Sequence, residues 1–451
     1  MTKKPLSASI SSRLKSPAKE ALSLLHAPSY FERLLPPDLK YKNVSISEDR
    51  VSMLVFTGFT WKKWVLQKQT DKPFSFIQKE GPFSYCKIEA KIDPIDDQTC
   101  VWHETIELAH SFVSKKRIEQ ILKWRQMTLT RDLEVIGKYP KKTLRILVSG
   151  THGLVGKALI PFLEGAGHQV VKLVRSKEKK ENSICWDPKT GAINPKEFED
   201  FDAVIHLAGK NIANRRWTKR QKSEIFLSRC RDSWLLSQVF MRCIRIPKVF
   251  ICASAIGIYG DRPGELLTEE SLPGKGFLSG VCKKWEEATC AIENRGSRGV
   301  HTRFGVVLSR RGGMLGRLLP LFQMGLGAVM GRGDQKVSWI ALDDLIYGLY
   351  HVLQTQEIEG AVNFTSPNPV TQEEFSKELA ASLRRPLFLR IPKKVLQLGL
   401  KEMADEMLLA SVAATPKKLI DTGFVFYYST LKKALKQLIA FESGQRNDAA
   451  H

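Results

Sequence analysis

The chain has 451 residues, a length that suits two or three domains better than a single core. Its hydrophobic content of 43% and charged content of 26% are typical of a folded globular protein, and no apolar run approaches the ~20 residues that span a bilayer. The formal net charge of +23 would suit contacts with phosphates. No long basic block with interleaved aromatic residues concentrates that charge, so we do not expect a nucleic-acid partner.

The cysteines and the first residues indicate a reducing compartment. The eight cysteines are scattered without a CxxC pair, which argues against a disulfide framework and gives no reason to expect a metal site. The start, MTKKPLSASISSRLKS, is basic and rich in serine but lacks the apolar core of a secretory signal. We therefore expect a cytoplasmic protein.

Residues 1–140 have the pattern of an α+β domain. A helical stretch, SPAKEALSLLHAPSYFERLLPP, ends at Pro36 and Pro37, which lack the amide donors that a helix needs. Several stretches then alternate with a period of two, most clearly SYCKIEAKI, and predict an antiparallel sheet. The amphipathic segment KKRIEQILKWRQMTLTRDLEVI predicts one long closing helix. A meander with such a helix is a helix-grip fold.

A basic connector, GKYPKKT, precedes the most informative stretch, LRILVSGTHGLVGKALIPFLEGAGHQVVKLVRS. An apolar strand runs into Gly150, Gly153 and Gly156, and an amphipathic helix and a second strand follow. Glycine permits the tight turn and the close approach of a pyrophosphate to backbone amides at the helix start. In this setting the glycine triplet predicts a dinucleotide site. The turn residues of that site are Gly150, Thr151, Gly153, Leu154, Val155 and Gly156.

The second strand of this unit ends in Arg175, where a site for NAD(H) would have an acid. A guanidinium suits a 2′-phosphate through paired hydrogen bonds, so the cofactor is predicted to be NADP(H). Further buried strands, FDAVIHLAG, KVFICASAIGIYG and GVHTRFGVVLS, alternate with helical spans. Residues 143–385 are therefore predicted to form a doubly wound parallel sheet, a Rossmann fold of the α/β class.

Eight segments in order give the chain a close resemblance to the epimerase-family group of extended, atypical short-chain dehydrogenase/reductases. Among them are GTHGLVG, SAIGIYGDRPGELLTEES, FLSGVCKKWE and TRFGVVLSRRGGML. The resemblance implies an NADP(H)-binding oxidoreductase or epimerase-like enzyme acting on an unknown carbonyl or sugar-nucleotide-like substrate. It also implies further cofactor contacts from Val174, Arg175, Leu207, Ala208, Glu224, Arg229 and Val307.

Two flanking parts carry resemblances of their own. FERLLPP, EGPFSYCKIEAKI and WRQMTLTRDL are similar to the SRPBCC superfamily, in the version fused ahead of a dehydrogenase-like domain. This implies an apolar cavity for a hydrophobic ligand, with a filled core used for docking as the alternative. Residues 386–445 include DEMLLASVAATPKKLIDTGFVF and resemble the DUF1731 segment, which implies a small helical subdomain that acts as a lid.

The usual proton donor of extended dehydrogenases is absent from the expected helix. Those enzymes place a tyrosine and a lysine four residues apart, and the lysine lowers the tyrosine pKa. Leu278 and Cys282 stand at the corresponding positions here. Ser254 and Tyr259, at the carboxyl end of the strand KVFICASAIGIYG where ligands of such sheets bind, and Cys282 are then the candidate catalytic residues. The alternative is a non-catalytic NADP(H) sensor whose SRPBCC domain binds a hydrophobic ligand or a partner protein.

Overall fold

The computed structural model describes residues 5–57, 60–69, 74–109, 113–175, 182–189 and 194–439. These form two compact units. The first contains the chain up to Thr143 together with Leu159–His168, and the second contains Leu144–Ala158 and the chain from Gln169 onwards. Among the described residues, no helix is long and apolar enough to cross a membrane.

The first unit is built on a seven-stranded antiparallel sheet. Its elements are β1 (Leu6–Leu14), α1 (Ala18–His26), α2 (Tyr30–Arg33), β2 (Tyr41–Ile46), β3 (Arg50–Phe56), β4 (Trp61–Lys68), β5 (Phe74–Glu80), β6 (Tyr85–Pro94), β7 (Cys100–Ala109) and α3 (Lys115–Ile136). The strand order is β1-β7-β6-β5-β4-β3-β2. The apolar faces of β6, β7 and α3 are buried in one core, as the period of two and the helical stripe predict.

The sequence pattern identifies α3 and five of these strands but misses β1 and β2. β1 pairs with β7 from Leu6 opposite Leu108 to Leu14 opposite Cys100. Its serine-rich sequence has weak strand propensity, and the hydrogen bonds that stabilise it come from a partner about a hundred residues away. The assignment of this unit to the SRPBCC superfamily stays a prediction.

Two buried ion pairs join the helices and the sheet of the first unit. Arg33 donates to Asp132 in α3, with Nη2 2.8 Å from Oδ1 and Nε 3.0 Å from Oδ2. The Tyr30 hydroxyl donates to the same carboxylate at 2.8 Å. Arg125 in α3 donates from Nε to Glu104 in β7 at 2.8 Å. Burial raises the pKa of Glu104, and the Arg125 charge opposes that shift.

The Arg33 and Asp132 pair generates a prediction about stability. Arg33→Met leaves a fully buried carboxylate without its cation and should lower the free energy of unfolding by about 3–5 kcal/mol. Lys63→Met is the control, because Lys63 and Glu80 are both more than half exposed and their pair is worth less than about 1 kcal/mol. Chemical denaturation of the full chain measures both. Equal effects of the two substitutions would contradict the prediction.

The second unit is built on a seven-stranded parallel sheet. Its first elements are β8 (Arg145–Ser149), α4 (Leu154–Gly165), β9 (Gln169–Val174), β10 (Ser183–Cys185), β11 (Ala203–His206), α5 (Lys219–Phe226), α6 (Asp232–Phe240), β12 (Val249–Ala255), β13 (Leu266–Leu267), α7 (Phe277–Glu287), α8 (Cys290–Asn294), β14 (Arg298–Phe304), β15 (Val306–Leu308) and α9 (Gly313–Gln323). Only the first part of α4, up to Ala158, belongs to this unit. The later elements are β16 (Ala328–Met330), β17 (Lys336–Val337), β18 (Trp339–Ala341), α10 (Leu342–Gln354), β19 (Gly360–Phe364), β20 (Val370–Thr371), α11 (Gln372–Ser382), β21 (Leu389–Ile391), α12 (Lys393–Leu400), α13 (Glu402–Ala404), β22 (Ala413–Ala414), α14 (Lys417–Asp421) and α15 (Leu431–Ile439).

The order of the parallel sheet is β10-β9-β8-β11-β12-β14-β19, and every neighbouring pair is parallel. The chain leaves β8 toward one edge through β9 and β10, then returns to place β11 on the other side of β8. The predicted doubly wound parallel sheet is confirmed. Ligands of such sheets bind outside the carboxyl ends of the strands where the order reverses, which here lies between β8 and β11.

The carboxyl-terminal part, predicted as a small helical subdomain, also contains short strands. It contains α12 to α15 but also two short strands, because β21 pairs with β16 and β22 pairs with β13. Leu431, Ala434 and Leu435 of α15 pack in one core with residues of α9 and α11. The strands escape prediction because two or three residues carry no readable period, and their partners lie far back in the chain.

Candidate functional site

A cleft of about 1070 Å³ lies at the reversal point of the parallel sheet, at the large end of the range of roughly 300–1,000 Å³ that is usual for ligand sites. The loops after β8, β9 and β11 form its walls. The predicted cofactor residues that line it are Gly150, Thr151, Gly153, Val174, Arg175, Leu207, Ala208 and Glu224. Residues that the sequence did not single out also line it, among them Ser149, Trp186, Lys189, Lys210, Ser228, Arg231 and Asp232.

The glycine turn between β8 and α4 leaves no space for a side chain at Gly150 or Gly156. Gly150 has a φ of +70°, and a Cβ there would lie 2.7 Å from the carbonyl carbon of Leu207. A Cβ on Gly156 would lie 2.4 Å from the carbonyl oxygen of Gly150. α4 begins at Leu154, directly after the turn residues that line the cleft, and the first amides of a helix have no partner within the helix. This backbone arrangement suits the phosphates of a dinucleotide.

The Ser149 side chain joins the ends of β8 and β11. Its Oγ accepts hydrogen bonds from the amides of Leu207 at 3.1 Å and Ala208 at 3.2 Å, so its own hydrogen points to Nδ1 of His206, at 2.7 Å. The proton of the neutral imidazole is then on Nε2, which has no hydrogen-bond partner among the described residues. Burial, followed by the charge of Arg175, lowers the pKa of His206 to about 4. The sequence signal that could have predicted this contact is a polar residue at the end of each of two apolar strands, Ser149 in β8 and His206 in β11.

Arg175 follows β9 at the rim of the cleft, and its side chain is 65% exposed. One guanidinium nitrogen, Nη2, donates to Oδ2 of Asp232 at 3.2 Å. An acid therefore does stand near the predicted 2′-phosphate position, but it comes from the start of α6 and not from the end of β9. The sequence pattern gave no reason to place Asp232 beside Arg175.

Arg229 and Glu224 support the loop after β11. Arg229 lies in a π-helical turn, Leu227–Arg231, and donates from Nη1 to the carbonyl oxygen of Lys210 at 2.9 Å. Its guanidinium lies over the Trp285 ring at 5.0 Å, and burial lowers its pKa. Glu224 lines the cleft, where it pairs with Arg220 at 3.0 Å and with Lys210. The cleft lining among the described residues excludes the predicted contacts Leu154, Val155, Gly156, Arg229 and Val307.

Two of the three candidate catalytic residues lie in a buried polar network. The Ser254 hydroxyl donates to Oε1 of Glu286 at 2.7 Å. The Tyr259 hydroxyl accepts from Nη1 of Arg303 at 2.9 Å and lies 2.7 Å from Oδ1 of Asn363, to which it can donate. Arg303 also binds both oxygens of Glu286, from Nε and Nη2 at 2.9 Å each. Burial raises the pKa of the Tyr259 phenol. Tyr259 lies in a short 3-10 turn beyond β12, and not on the strand end where the sequence placed it.

The third candidate, Cys282, is buried on α7. A Cβ on Gly257 would lie 4.0 Å from its Sγ and 3.3 Å from Cβ of Leu278, so the two positions of the missing pair face this turn. Burial raises the pKa of the Cys282 thiol to about 12, and it stays protonated at neutral pH. The described cleft lining contains none of Ser254, Tyr259 and Cys282. Their catalytic roles stay predictions, and their burial argues against proton exchange with a ligand in the cleft.

The carboxyl-terminal segment holds the start of α7, an arrangement that sequence reasoning missed. The Glu406 carboxylate accepts hydrogen bonds from the amides of Phe277 and Leu278, at 2.7 Å each. Carboxylates at a helix amino terminus satisfy free amides and complement the helix dipole. Nearby, Nζ of Lys222 in α5 donates to both oxygens of Glu402 at 2.8 Å. The segment that resembles a lid is therefore attached to both α5 and α7.

Comparison with known proteins identifies the family. Residues 146–364 match the family model described as the NAD dependent epimerase/dehydratase family, and residues 391–438 match the domain of unknown function DUF1731. An epimerase family protein of Mycobacterium bovis is 38% identical over 290 residues, which are 64% of this chain and 96% of the relative. Human epimerase family protein SDR39U1 is 32% identical over 300 residues, 66% of this chain and 100% of the relative.

Solved structures are also similar to this one. A nucleoside-diphosphate sugar epimerase from Corynebacterium glutamicum has a TM-score of 0.79 and 26% identity, and the match covers 96% of this chain and 90% of that one. Human SDR39U1, solved with NADPH, has a TM-score of 0.61 and 31% identity over 66% of this chain and 99% of that one. The predicted resemblance of residues 144–439 is confirmed, including the DUF1731 segment. The chain belongs to the epimerase family.

Proposed function

We propose that the cleft binds NADP(H) and that the chain is an oxidoreductase or epimerase-like enzyme of the atypical short-chain dehydrogenase/reductase type. The observation that carries this proposal is the exposed Arg175 guanidinium in the same cleft as a turn that accepts only glycine at position 150. Amides of the turn and of the first turn of α4 would hold the pyrophosphate, and Arg175 would bind the 2′-phosphate. The cofactor, when bound, supplies the hydride chemistry.

The relatives support a proposal for the substrate class. The Corynebacterium structure, which is similar over both units of this chain, is described as a nucleoside-diphosphate sugar epimerase. We propose that the substrate is a carbonyl compound or a sugar-nucleotide-like compound. It would approach the carboxyl ends of β11 and β12, the side of the sheet on which Gly257 and Leu278 meet.

A specific observation favours a second candidate function, an NADP(H)-dependent sensor. The residues that could donate a proton, Ser254, Tyr259 and Cys282, are buried and used in packing or internal hydrogen bonds. In this case the antiparallel first unit, with its 22-residue helix α3, would be an SRPBCC domain that binds a hydrophobic ligand or a partner. The cofactor would then control the state of the second unit without being consumed.

Cofactor preference tests the main proposal. The wild-type chain should bind NADPH at least roughly tenfold more tightly than NADH, because a charged hydrogen bond to the phosphate is worth about 1.5–3 kcal/mol. Arg175→Ala should weaken NADPH binding roughly tenfold and leave NADH binding unchanged. Titration of the reduced nicotinamide fluorescence measures both. Arg332→Ala is the control, since Arg332 is exposed and lies outside the cleft lining. Equal wild-type affinities for NADH and NADPH would contradict the NADP(H) assignment.

Tyr259→Phe distinguishes a catalytic from a structural phenol. A general acid contributes about 10²–10⁴-fold to a rate, so a catalytic Tyr259 would show a kcat loss of that size with unchanged NADPH affinity. Because the phenol is a buried partner of Arg303, we expect the other result: a lower thermal midpoint with kcat retained. Turnover is measured as NADPH oxidation with a panel of carbonyl compounds and sugar nucleotides. If no compound in that panel is turned over by the wild type, the sensor is favoured over the enzyme.

His206 makes the stability of the second unit dependent on pH. The unfolded chain binds a proton at His206 below an ordinary pKa of 6.5, whereas the folded chain binds it only below about 4. The unfolded state therefore carries more protons between these values, and stability falls as the pH falls from 6.5 to 4. His206→Gln should reduce this decrease in the free energy of unfolding by on the order of 3 kcal/mol. Thermal midpoints at pH 7 and pH 4.5 measure it, with exposed His152→Gln as the control. If His206→Gln loses as much stability between pH 7 and pH 4.5 as the wild type does, His206 is not the source of the pH dependence.

A further inference from the structure

We propose that Arg231 is a second cation of the 2′-phosphate site and that Asp232 is the positioning residue that holds Arg175 and Arg231 at the rim of the cleft. This inference rests on the proposed binding of NADP(H). It goes beyond that proposal by naming the groups that set the preference for the phosphorylated cofactor. Both residues line the cleft together with Arg175.

The two arginines meet on one carboxylate. Arg175 donates from Nη2 to Oδ2 of Asp232 at 3.2 Å, and Arg231 donates to Oδ1 from Nη2 at 2.9 Å and from Nε at 3.2 Å. The Asp232 side chain is 3% exposed, whereas those of Arg175 and Arg231 are 65% and 39% exposed. The carboxylate therefore lies beneath two guanidinium groups that face solvent at the rim of the cleft.

The division of hydrogen-bond donors leaves both arginines able to bind an anion. A guanidinium has five N–H donors, and the bonds to Asp232 use only one nitrogen of Arg175 and two of Arg231. The cluster carries two positive charges and one negative charge. Lys189 and Asp187 also line the cleft and contribute one charge of each sign, so the surplus of one positive charge comes from the two arginines. A phosphate ester with close to two negative charges at neutral pH complements this surplus.

The position of Asp232 also explains why an acid here does not indicate NAD(H). In an NAD site the acid is free to accept hydrogen bonds from the ribose hydroxyls. Both oxygens of Asp232 are instead occupied by guanidinium groups, and the carboxylate is almost fully buried. A buried carboxylate is stable only with such partners, so each arginine fixes the acid and the acid fixes each arginine.

Local backbone geometry brings this cluster to the cleft. The helix between α5 and α6 widens into a π-helical turn over Leu227–Arg231, and Asp232 follows it directly. Such a turn adds a residue to the helix and shifts the side chains after it to another face, and it occurs often at functional sites. Leu227, Ser228, Arg231 and Asp232 all line the cleft as a result.

Binding of two pairs of ligands by the full chain tests the inference. NADPH with NADH, and 2′,5′-ADP with 5′-AMP, each differ only by the 2′-phosphate in their adenosine part. Arg231→Ala should weaken NADPH and 2′,5′-ADP binding roughly tenfold while NADH and 5′-AMP binding stays unchanged. Arg231→Lys keeps the charge without the planar fork and should lose less than the alanine variant. It also keeps Asp232 paired, so it remains informative if Arg231→Ala fails to fold.

Asp232→Asn tests the positioning role. It removes a negative charge near the phosphate, so a purely repulsive carboxylate would give tighter NADPH binding. A positioning carboxylate gives weaker NADPH binding with NADH affinity retained, and this is the expected result. Tighter NADPH binding would overturn the positioning role. Arg332→Ala and Asp334→Asn, an exposed ion pair outside the cleft lining, are the matched controls.

The outcomes separate this inference from the proposed function. If Arg175→Ala abolishes the preference for NADPH but Arg231→Ala leaves it intact, the second cation is wrong and the NADP(H) site stands. Equal weakening of NADPH and NADH by Arg231→Ala would also overturn the inference, because a structural role affects both ligands alike. If the wild type shows no preference at all, the proposed cofactor fails first.

Discussion

The candidate site depends on the close approach of two strand ends, those of β8 and β11, where the parallel sheet reverses. The Ser149 hydroxyl makes three hydrogen bonds across this junction, two to amides after β11 and one to His206. Gly150 approaches the carbonyl group of Leu207 so closely that even one additional carbon atom would clash. These contacts fix the positions of the two strand ends relative to each other. The geometry available to a dinucleotide is therefore set before any ligand binds.

Electrostatics divides the arginines of the second unit into buried and exposed groups. Arg303 lies inside the unit, where its guanidinium donates hydrogen bonds to Glu286 and Tyr259. Arg175 and Arg231 share one buried carboxylate, and each has N–H donors that these bonds do not use. In the first arrangement the charges of Arg303 and Glu286 compensate each other, so loss of either side chain would leave a buried charge unpaired. The second leaves positive charge at the rim of a cleft, where an anion can use it.

Buried charges are also paired in the first unit. Arg33 with Asp132 and Arg125 with Glu104 are pairs of oppositely charged side chains within an otherwise apolar core. They connect α2 and β7 to the long helix α3. The carboxyl-terminal segment does something comparable in the second unit, where Glu406 holds the first amides of α7.

The sequence by itself determined the long regular elements with a clear period and the chemistry of the turn. The glycine spacing, the Arg175 that ends β9 and the full length of α3 could all be predicted, because each is encoded by neighbours within one turn, one strand or one helix face. The roles of Tyr259 and Ser254 could not be read in this way. Both looked accessible at a strand end, yet the fold surrounds them with Arg303, Asn363 and Glu286 from distant parts of the chain.

Only the tertiary structure decided which charges meet. Asp232 lies 57 residues from Arg175, and β1 lies about a hundred residues from its partner β7. No local sequence pattern predicts such contacts, because hydrogen bonds and ion pairs between distant segments form only when the sheet brings those segments together. The sequence therefore determined that a dinucleotide turn exists, whereas the tertiary structure determined which cations face the cleft and which candidate proton donors are buried.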